Sequence, residues 1–342
     1  MLQDVSVTLL LLIGACAALV ILLAGLRMTG LADRIADRTG LGEAVVGGVL
    51  LGAATSFSGT IVSLTAALDD RASLAFSNGI GGIAAQTAFL AIADITYRRA
   101  NLEHAAAELA NVFQCGVLLL LLSVPFAAHV APEWTIWSLH PASVILVLVY
   151  VAGVIATSRL REAPMWTPVD TEETRADTPD AGDEDDKPAS GLLVQFMGLM
   201  LVLGAAGWAI SQVAAQMTDR LGFSASLVGA LMTAVITSLP ELVTTIAAVR
   251  RGALQLAVGG IIGGNTFDTL FLTISDIGYR DGSIYHAIEN SDLFWLAVGL
   301  LMTAVLMLGL IYREKQGPGG IGRESIFLLA IYLGAVSIQA IL

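Results

Sequence analysis

The chain has 342 residues, of which 56% are hydrophobic and 13% charged. Soluble domains carry about 25% charged residues, so this balance excludes an ordinary soluble core. The net charge of −12 is concentrated in one stretch, Asp170 to Asp186, and nothing basic and aromatic points to nucleic acid.

A helix that crosses a bilayer needs about 20 apolar residues. Runs of that kind are predicted near 6–28, 42–68, 73–96, 105–128, 136–158, 191–215, 224–249, 253–275, 290–312 and 324–341. The expected fold is an all-α membrane protein of ten transmembrane helices. Cys16 and Cys115 lie inside these runs and fit neither a disulfide framework nor a zinc site. Asp4, with no positive charge nearby, argues against a lipoprotein cleavage box at Ile13-Gly14-Ala15-Cys16.

Positive residues set the orientation. With the N-terminus outside, the cytoplasmic loops hold Arg27, Arg34, Arg38, Arg98, Arg99, Arg159, Arg161, Arg175, Lys187, Arg250, Arg251, Arg313, Lys315 and Arg323. Of the 17 basic residues, only Arg71, Arg220 and Arg280 remain outside. Both termini then face outward, and the expected location is the inner membrane of a prokaryote. The stretch 161–190 separates membrane halves 1–160 and 191–342. It holds Thr171-Glu172-Glu173-Thr174, Asp183-Glu184-Asp185-Asp186 and four prolines. Such a segment cannot bury enough apolar surface to fold, so a poorly ordered cytoplasmic linker is expected, from about Pro164 to Pro188.

Shifting the chain by 182 residues aligns 37–98 with 219–280 without a gap. Asp37-Arg38 meets Asp219-Arg220, Thr55-Ser56 meets Thr237-Ser238, Ile80-Gly81-Gly82 meets Ile262-Gly263-Gly264, and Asp94-Ile95 meets Asp276-Ile277. Five spans per half is an odd number, so equivalent helices run in opposite directions. This is the inverted-repeat plan of secondary transporters, whose substrate site lies near the midplane.

Ionisable side chains within spans are costly and mark function. Two stand out, Glu241 and Asp268. Thr237 and Ser238 lie four and three residues before Glu241, on its helical face. Pro240 has no N–H and frees the carbonyl of Ile236. A carboxylate, two hydroxyls and a free carbonyl form a hard oxygen cage, suited to sodium or calcium rather than zinc or copper. Gly264 and Asn265 precede Asp268. In the first half the hydroxyls of Thr55 and Ser56 remain, but Gly59 and Gln86 stand at the positions of Glu241 and Asp268. Ser58 stands at that of Pro240, so the kink there must have another origin, with Gly59 the candidate.

Thr237-Ser238-Leu239-Pro240-Glu241, followed by Leu256-Ala257-Val258-Gly259-Gly260-Ile261-Ile262-Gly263-Gly264-Asn265, closely resembles the second α-repeat of the sodium/calcium exchangers and the wider calcium/cation antiporters. The resemblance implies that Glu241, Asp268, Thr237 and Ser238 bind transported ions together with Thr55 and Ser56. Gln86 and Ile236 complete the expected ligand set. The family carries glutamate where this chain has Gly59, asparagine at Gln86, and serine at Gly82 and Gly264. The expected activity is sodium/calcium antiport. The alternatives are exchange of monovalent ions or protons, or a scaffold that no longer transports. No enzyme, resident cofactor or nucleic acid is expected. The partners are the lipid bilayer and small inorganic cations, with the oligomeric state left open.

Overall fold

The computed structural model describes residues 5–39, 54–97, 99–174 and 189–341. Within them the chain is helical, and an isolated bridge between Ile136 and Leu139 is the β pairing among the described residues. In lipid a backbone must satisfy its own polar groups, which leaves apolar runs little choice but helix.

The first half contains α1 (Val7–Thr39), α2 (Phe57–Leu68), α3 (Ala72–Thr96), the short α4 (Leu102–Ala105), α5 (Leu109–Val130) and α6 (Pro141–Glu162). The second contains α7 (Ala189–Leu221), α8 (Ala225–Thr237), α9 (Leu239–Arg251), α10 (Leu254–Asp268), α11 (Leu270–Gly278), the short α12 (Ile284–Ala287), α13 (Asn290–Tyr312) and α14 (Arg323–Ile341). Local chemistry sets several ends. His140 caps α6 by accepting from the N–H of Ala142 at 3.1 Å, with Pro141 in the first turn. Glu289 and Asp292 form a reciprocal capping box on α13. Gly252, at φ +87°, closes α9 in the left-handed conformation that favours glycine.

Among the described residues, 8 helices are long and apolar enough to cross a membrane, or 9 with the bent pair α8–α9 taken as one span. This differs from the ten expected. Much of the predicted run 42–68 lies outside the described residues, and its described part, α2, has 12 residues. The predicted run 224–249 is divided at Ser238, where α8 and α9 meet at 46°.

The helix boundaries recur at the same offset. Gln86 and Asp268 are 182 residues apart, and that shift carries both ends of α1 onto α7, of α4 onto α12, and the outer ends of α3 onto α10–α11. It also carries the starts of α2 and α6 onto those of α9 and α14.

Two hydrogen-bonded clasps obey the shift as well. Asp94 accepts the N–H of Leu102 at 2.7 Å and of Gly322 at 2.8 Å. Asp276 accepts the N–H of Ile284 at 3.3 Å and of His140 at 2.8 Å. Leu102 and Ile284 are equivalent, and so are His140 and Gly322. Each aspartate therefore ties the end of its own central helix to a backbone N–H of the other half. The imidazoles of His104 and His286 likewise reach the carbonyls of Arg313 and Ala131, both at 2.8 Å. Carboxylate–amide bonds of this kind are among the stronger hydrogen bonds.

The most enclosed of the long helices are α3 and the α10–α11 pair. Gly229, in a π-helical stretch of α8, lets the backbones of α8 and α3 touch. A Cβ there would sit 2.9 Å from the Leu74 carbonyl and 2.8 Å from the Ser77 Cβ. Small residues of this kind let helices associate closely in lipid.

Residues 175–188 of the predicted linker lie outside the described residues. Its first part, expected to be a poorly ordered spacer, makes specific contacts. Thr171 bonds the imidazole of His104 at 2.9 Å, Arg313 donates to the Val169 carbonyl at 2.7 Å, and Lys315 pairs with Glu173 at 2.5 Å. The cause is local. The loop after α13 presents Arg313 and Lys315 to a chain that carries carboxylates and carbonyls.

Candidate cation site

Glu241 lies in the first turn of α9, immediately after the break at Ser238 (φ −96°, ψ 5°). Pro240 sits in that first turn, where its missing N–H costs nothing. An anionic side chain there also faces the free N–H groups of a helix start. The equivalent break in the first half falls at Ser56 (φ −84°, ψ 2°), from which α2 begins. The kink therefore does not come from Gly59, which lies inside α2. Thr60 N–H bonds the Ser56 carbonyl at 2.9 Å and the Thr60 hydroxyl bonds it at 3.0 Å. Asp268 is the last residue of α10, at the joint with α11.

These three joints meet. Gln86, from the middle of α3, donates through Nε2 to Asp268 Oδ2 at 2.7 Å and to Ser238 Oγ at 3.2 Å. Thr55 hydrogen-bonds Glu241. Ser56 approaches Asp268, although its hydroxyl completes no hydrogen bond of good geometry among the described residues. The two carboxylates are close enough to repel one another. Glu241, Asp268 and Gln86 are 7%, 2% and 1% exposed. Thr237 is buried beside Gly59, its hydroxyl donated to the carbonyls of Thr233 and Ala234 at 3.0 and 3.2 Å. Ile236, half-buried, packs its side chain among the apolar residues of α1 and α7. Its carbonyl is the one Pro240 cannot bond.

Four acceptor atoms here have no hydrogen-bond partner among the described residues: Glu241 Oε2, Asp268 Oδ1, Gln86 Oε1 and Ser56 Oγ. A buried acceptor without a partner costs about 1–3 kcal/mol, more when charged. A bound cation satisfies several at once. The donor set is two carboxylates with hydroxyl and amide oxygens, and no third His, Cys, Asp or Glu joins them among the described residues. Oxygen-only donors favour hard cations.

The position where the family carries its first glutamate is filled from across the site. A Cβ on Gly59 would lie 2.7 Å from Cε2 of Phe271 and 3.1 Å from its Cζ. Sequence reasoning also missed Asn78. Its amide donates to the Gly59 carbonyl at 3.1 Å and to Ser63 at 2.9 Å, and its carbonyl accepts from Thr233 at 2.7 Å. Asn78, Gly82 and Gln86 follow at four-residue spacing on one face of α3, a signal that was available. Asn265 donates to Thr87 at 2.9 Å and so joins α10 to α3 beside the site.

The sodium/calcium exchanger protein family model matches residues 9–159 and 190–341. The chain is 32% identical over 136 residues to inner membrane protein YrbG of Escherichia coli (strain K12), covering 39% of this chain and 41% of that protein. It is 27% identical over 148 residues to sodium/potassium/calcium exchanger 1 of Gallus gallus, covering 42% of this chain and 21% of that protein. The matches thus span less than half the length of either relative. Among solved structures, the H+/Ca2+ exchanger CAX superposes with a TM-score of 0.65 at 13% identity, over 97% of this chain and 86% of its own. The sodium-calcium exchanger NCX_Mj superposes with a TM-score of 0.60 at 20% identity, over 97% of this chain and 99% of its own. At these identities the likeness is one of fold. Since the family model covers both halves of the chain, the protein belongs to the sodium/calcium exchanger family of transporters.

Proposed function

We propose that the chain is a secondary antiporter that exchanges sodium for calcium by alternating access, with ions held at mid-membrane between the two halves. The observation that carries this reading is the convergence of Glu241 and Asp268 with Gln86, Thr55 and Ser56 around acceptor oxygens that lack partners. With both carboxylates ionised the site holds two negative charges, matched by one calcium or two sodium ions. Its ligands are Glu241, Asp268, Thr237, Ser238, Thr55, Ser56, Gln86 and the Ile236 carbonyl.

The same reading takes 1–160 and 191–342 as two five-span repeats of opposite orientation, ten spans in all. The recurrence of helix boundaries and clasps supports it. It places both termini outside and the 161–190 linker in the cytoplasm of a prokaryote, consistent with the distribution of arginines.

A second reading is exchange of monovalent ions or protons alone. It is favoured by the Phe271 ring against Gly59, which leaves one glutamate instead of an opposed pair. The test is calcium uptake into sodium-loaded vesicles, run beside proton- and potassium-loaded ones. Uptake driven by the sodium gradient supports the first reading. Flux under monovalent or proton gradients only supports the second. No flux under any gradient overturns both.

A further inference from the structure

The two clasps are equivalent in backbone but not in side chains. At the Asp276 clasp, Ser143 donates to the aspartate at 2.6 Å and lies 2.8 Å from the Tyr285 hydroxyl. At the Asp94 clasp, Ser325 takes the place of Ser143 and donates to Glu103, which takes the place of Tyr285, at 3.4 Å. Glu324 stands where the first clasp has Ala142. One clasp thus holds a single carboxyl group and the other holds three.

These three acids converge. The carboxyl groups of Glu103 and Glu324 lie in hydrogen-bonding reach of each other. Glu324 Oε1 and Asp94 Oδ2 lie 2.9 and 3.3 Å from the same point, the Cβ direction of Gly322. Glu103 is 1% exposed and Glu324 7%. Glu103 Oε2 and Glu324 Oε1 have no hydrogen-bond partner among the described residues. Asp94 is already committed to two backbone N–H groups.

The charges around them do not compensate. Arg323, next to Glu324, pairs with Glu314 at 3.3 Å. Lys315 pairs with Glu173. Arg313 turns to the carbonyls of Val169 and His104. Glu314 adds a further negative charge facing Glu324. Two carboxyl oxygens can share a hydrogen bond only if one carries a proton, because an ionised carboxylate has no donor. Burial, with Asp94 and Glu324 alongside, raises the Glu103 pKa well above the ordinary carboxyl range.

We propose that Glu103 and Glu324 share one exchangeable proton, which makes the clasp at the linker end a proton-binding site separate from the cation site. With the proton in place, the pair bridges α4 to the start of α14. Its loss sets three carboxylates against one another and weakens the hold of Asp94 on Gly322. This site does not rest on the transport reading above.

Infrared difference spectroscopy of the full-length chain in lipid nanodiscs tests it. The background is E241Q/D268N, which removes the cation-site carboxyl groups. A carbonyl band of a protonated carboxyl, shifted in heavy water, is expected at neutral pH and is lost on alkaline titration. E103Q and E324Q should each abolish it, while the helical amide bands stay unchanged. As a control for folding, the melting temperature of that background should fall as pH rises through the band's midpoint, and that of E103Q should fall less over the same range. The sign follows because a raised folded-state pKa contributes stability at low pH that is lost on deprotonation. Absence of the band at neutral pH, or its persistence in both variants, would overturn the assignment. Loss of the band on adding sodium or calcium at constant pH would replace the proton with a cation, and overturn it too.

Discussion

Gln86 and Asp268 are equivalent positions of the repeat, and their side chains touch at 2.7 Å. The contact joins α3 to α10, and it is asymmetric, an amide donor against a carboxylate acceptor. Two aspartates there would repel; two glutamines would hold no charge for a cation. The differentiated pair keeps one charge and orients it.

Replacing Glu241 by Gln keeps shape and removes charge. At 4 Å and an effective dielectric of about 20, one unit charge is worth roughly 4 kcal/mol, and a divalent ion feels about twice that before desolvation. Sodium-driven calcium uptake should vanish in vesicles where the variant is inserted normally. Wild-type uptake by E241Q would remove Glu241 from the site.

Asp268→Asn is expected to weaken cation binding, because this pair then holds two amides and no charge. Moving the charge across should restore part of it. Q86E/D268N is expected to bind calcium more tightly than D268N alone, measured by calorimetry. Equal affinities would mean that positions 86 and 268 do not contact the ion.

Gly59→Glu adds the glutamate that the family carries, but Phe271 stands in its way. Forcing extra atoms into a packed site typically costs about 1–3 kcal/mol, so the single variant should melt earlier and transport poorly. G59E/F271A should recover stability and favour calcium over sodium. Ion competition in vesicles reads the selectivity, and an unchanged preference in the double variant would show that position 59 does not reach the ion.

Each clasp should matter to stability by itself. Asp94→Asn and Asp276→Asn each weaken two carboxylate–amide bonds, and hydrogen bonds to charged groups contribute about 1.5–3 kcal/mol apiece. Both variants should lose thermal stability in detergent, with the helix content of the native state unchanged. A variant that melts with the wild type would leave the two halves tied elsewhere.

The helical membrane fold and the candidate residues were legible because lipid imposes simple rules. Apolar length gave most of the spans, and the shift of 182 residues pointed to the recurrence of helix boundaries. Mid-span carboxylates pointed to Glu241 and Asp268 as candidates, and the same shift led to Gln86, which the structure brings against Asp268. What stayed hidden was three-dimensional. Phe271 and Gly59 are distant in sequence, and nothing local says that the ring lies over the glycine. Asn78 reads as an ordinary helix polar residue until Gly59 and Thr233 close on it. The clasps escaped because their acceptors, Asp94 and Asp276, stand at helix ends and look like interface charges. Their donors are backbone groups of the other half. The docking of Glu173 on Lys315 escaped because composition describes how much a segment can bury, not which single contact it makes.

The clasps also bear on how the molecule is made. Asp94 receives its second N–H from a residue 228 positions later, and His140 offers its own to an acceptor 136 positions later. During synthesis the first half therefore enters the bilayer with a carboxylate and an amide still awaiting partners that the ribosome has yet to produce. Assembly is completed only when α13 and α14 arrive. A chain truncated before Gly322 leaves Asp94 with one of its two backbone partners.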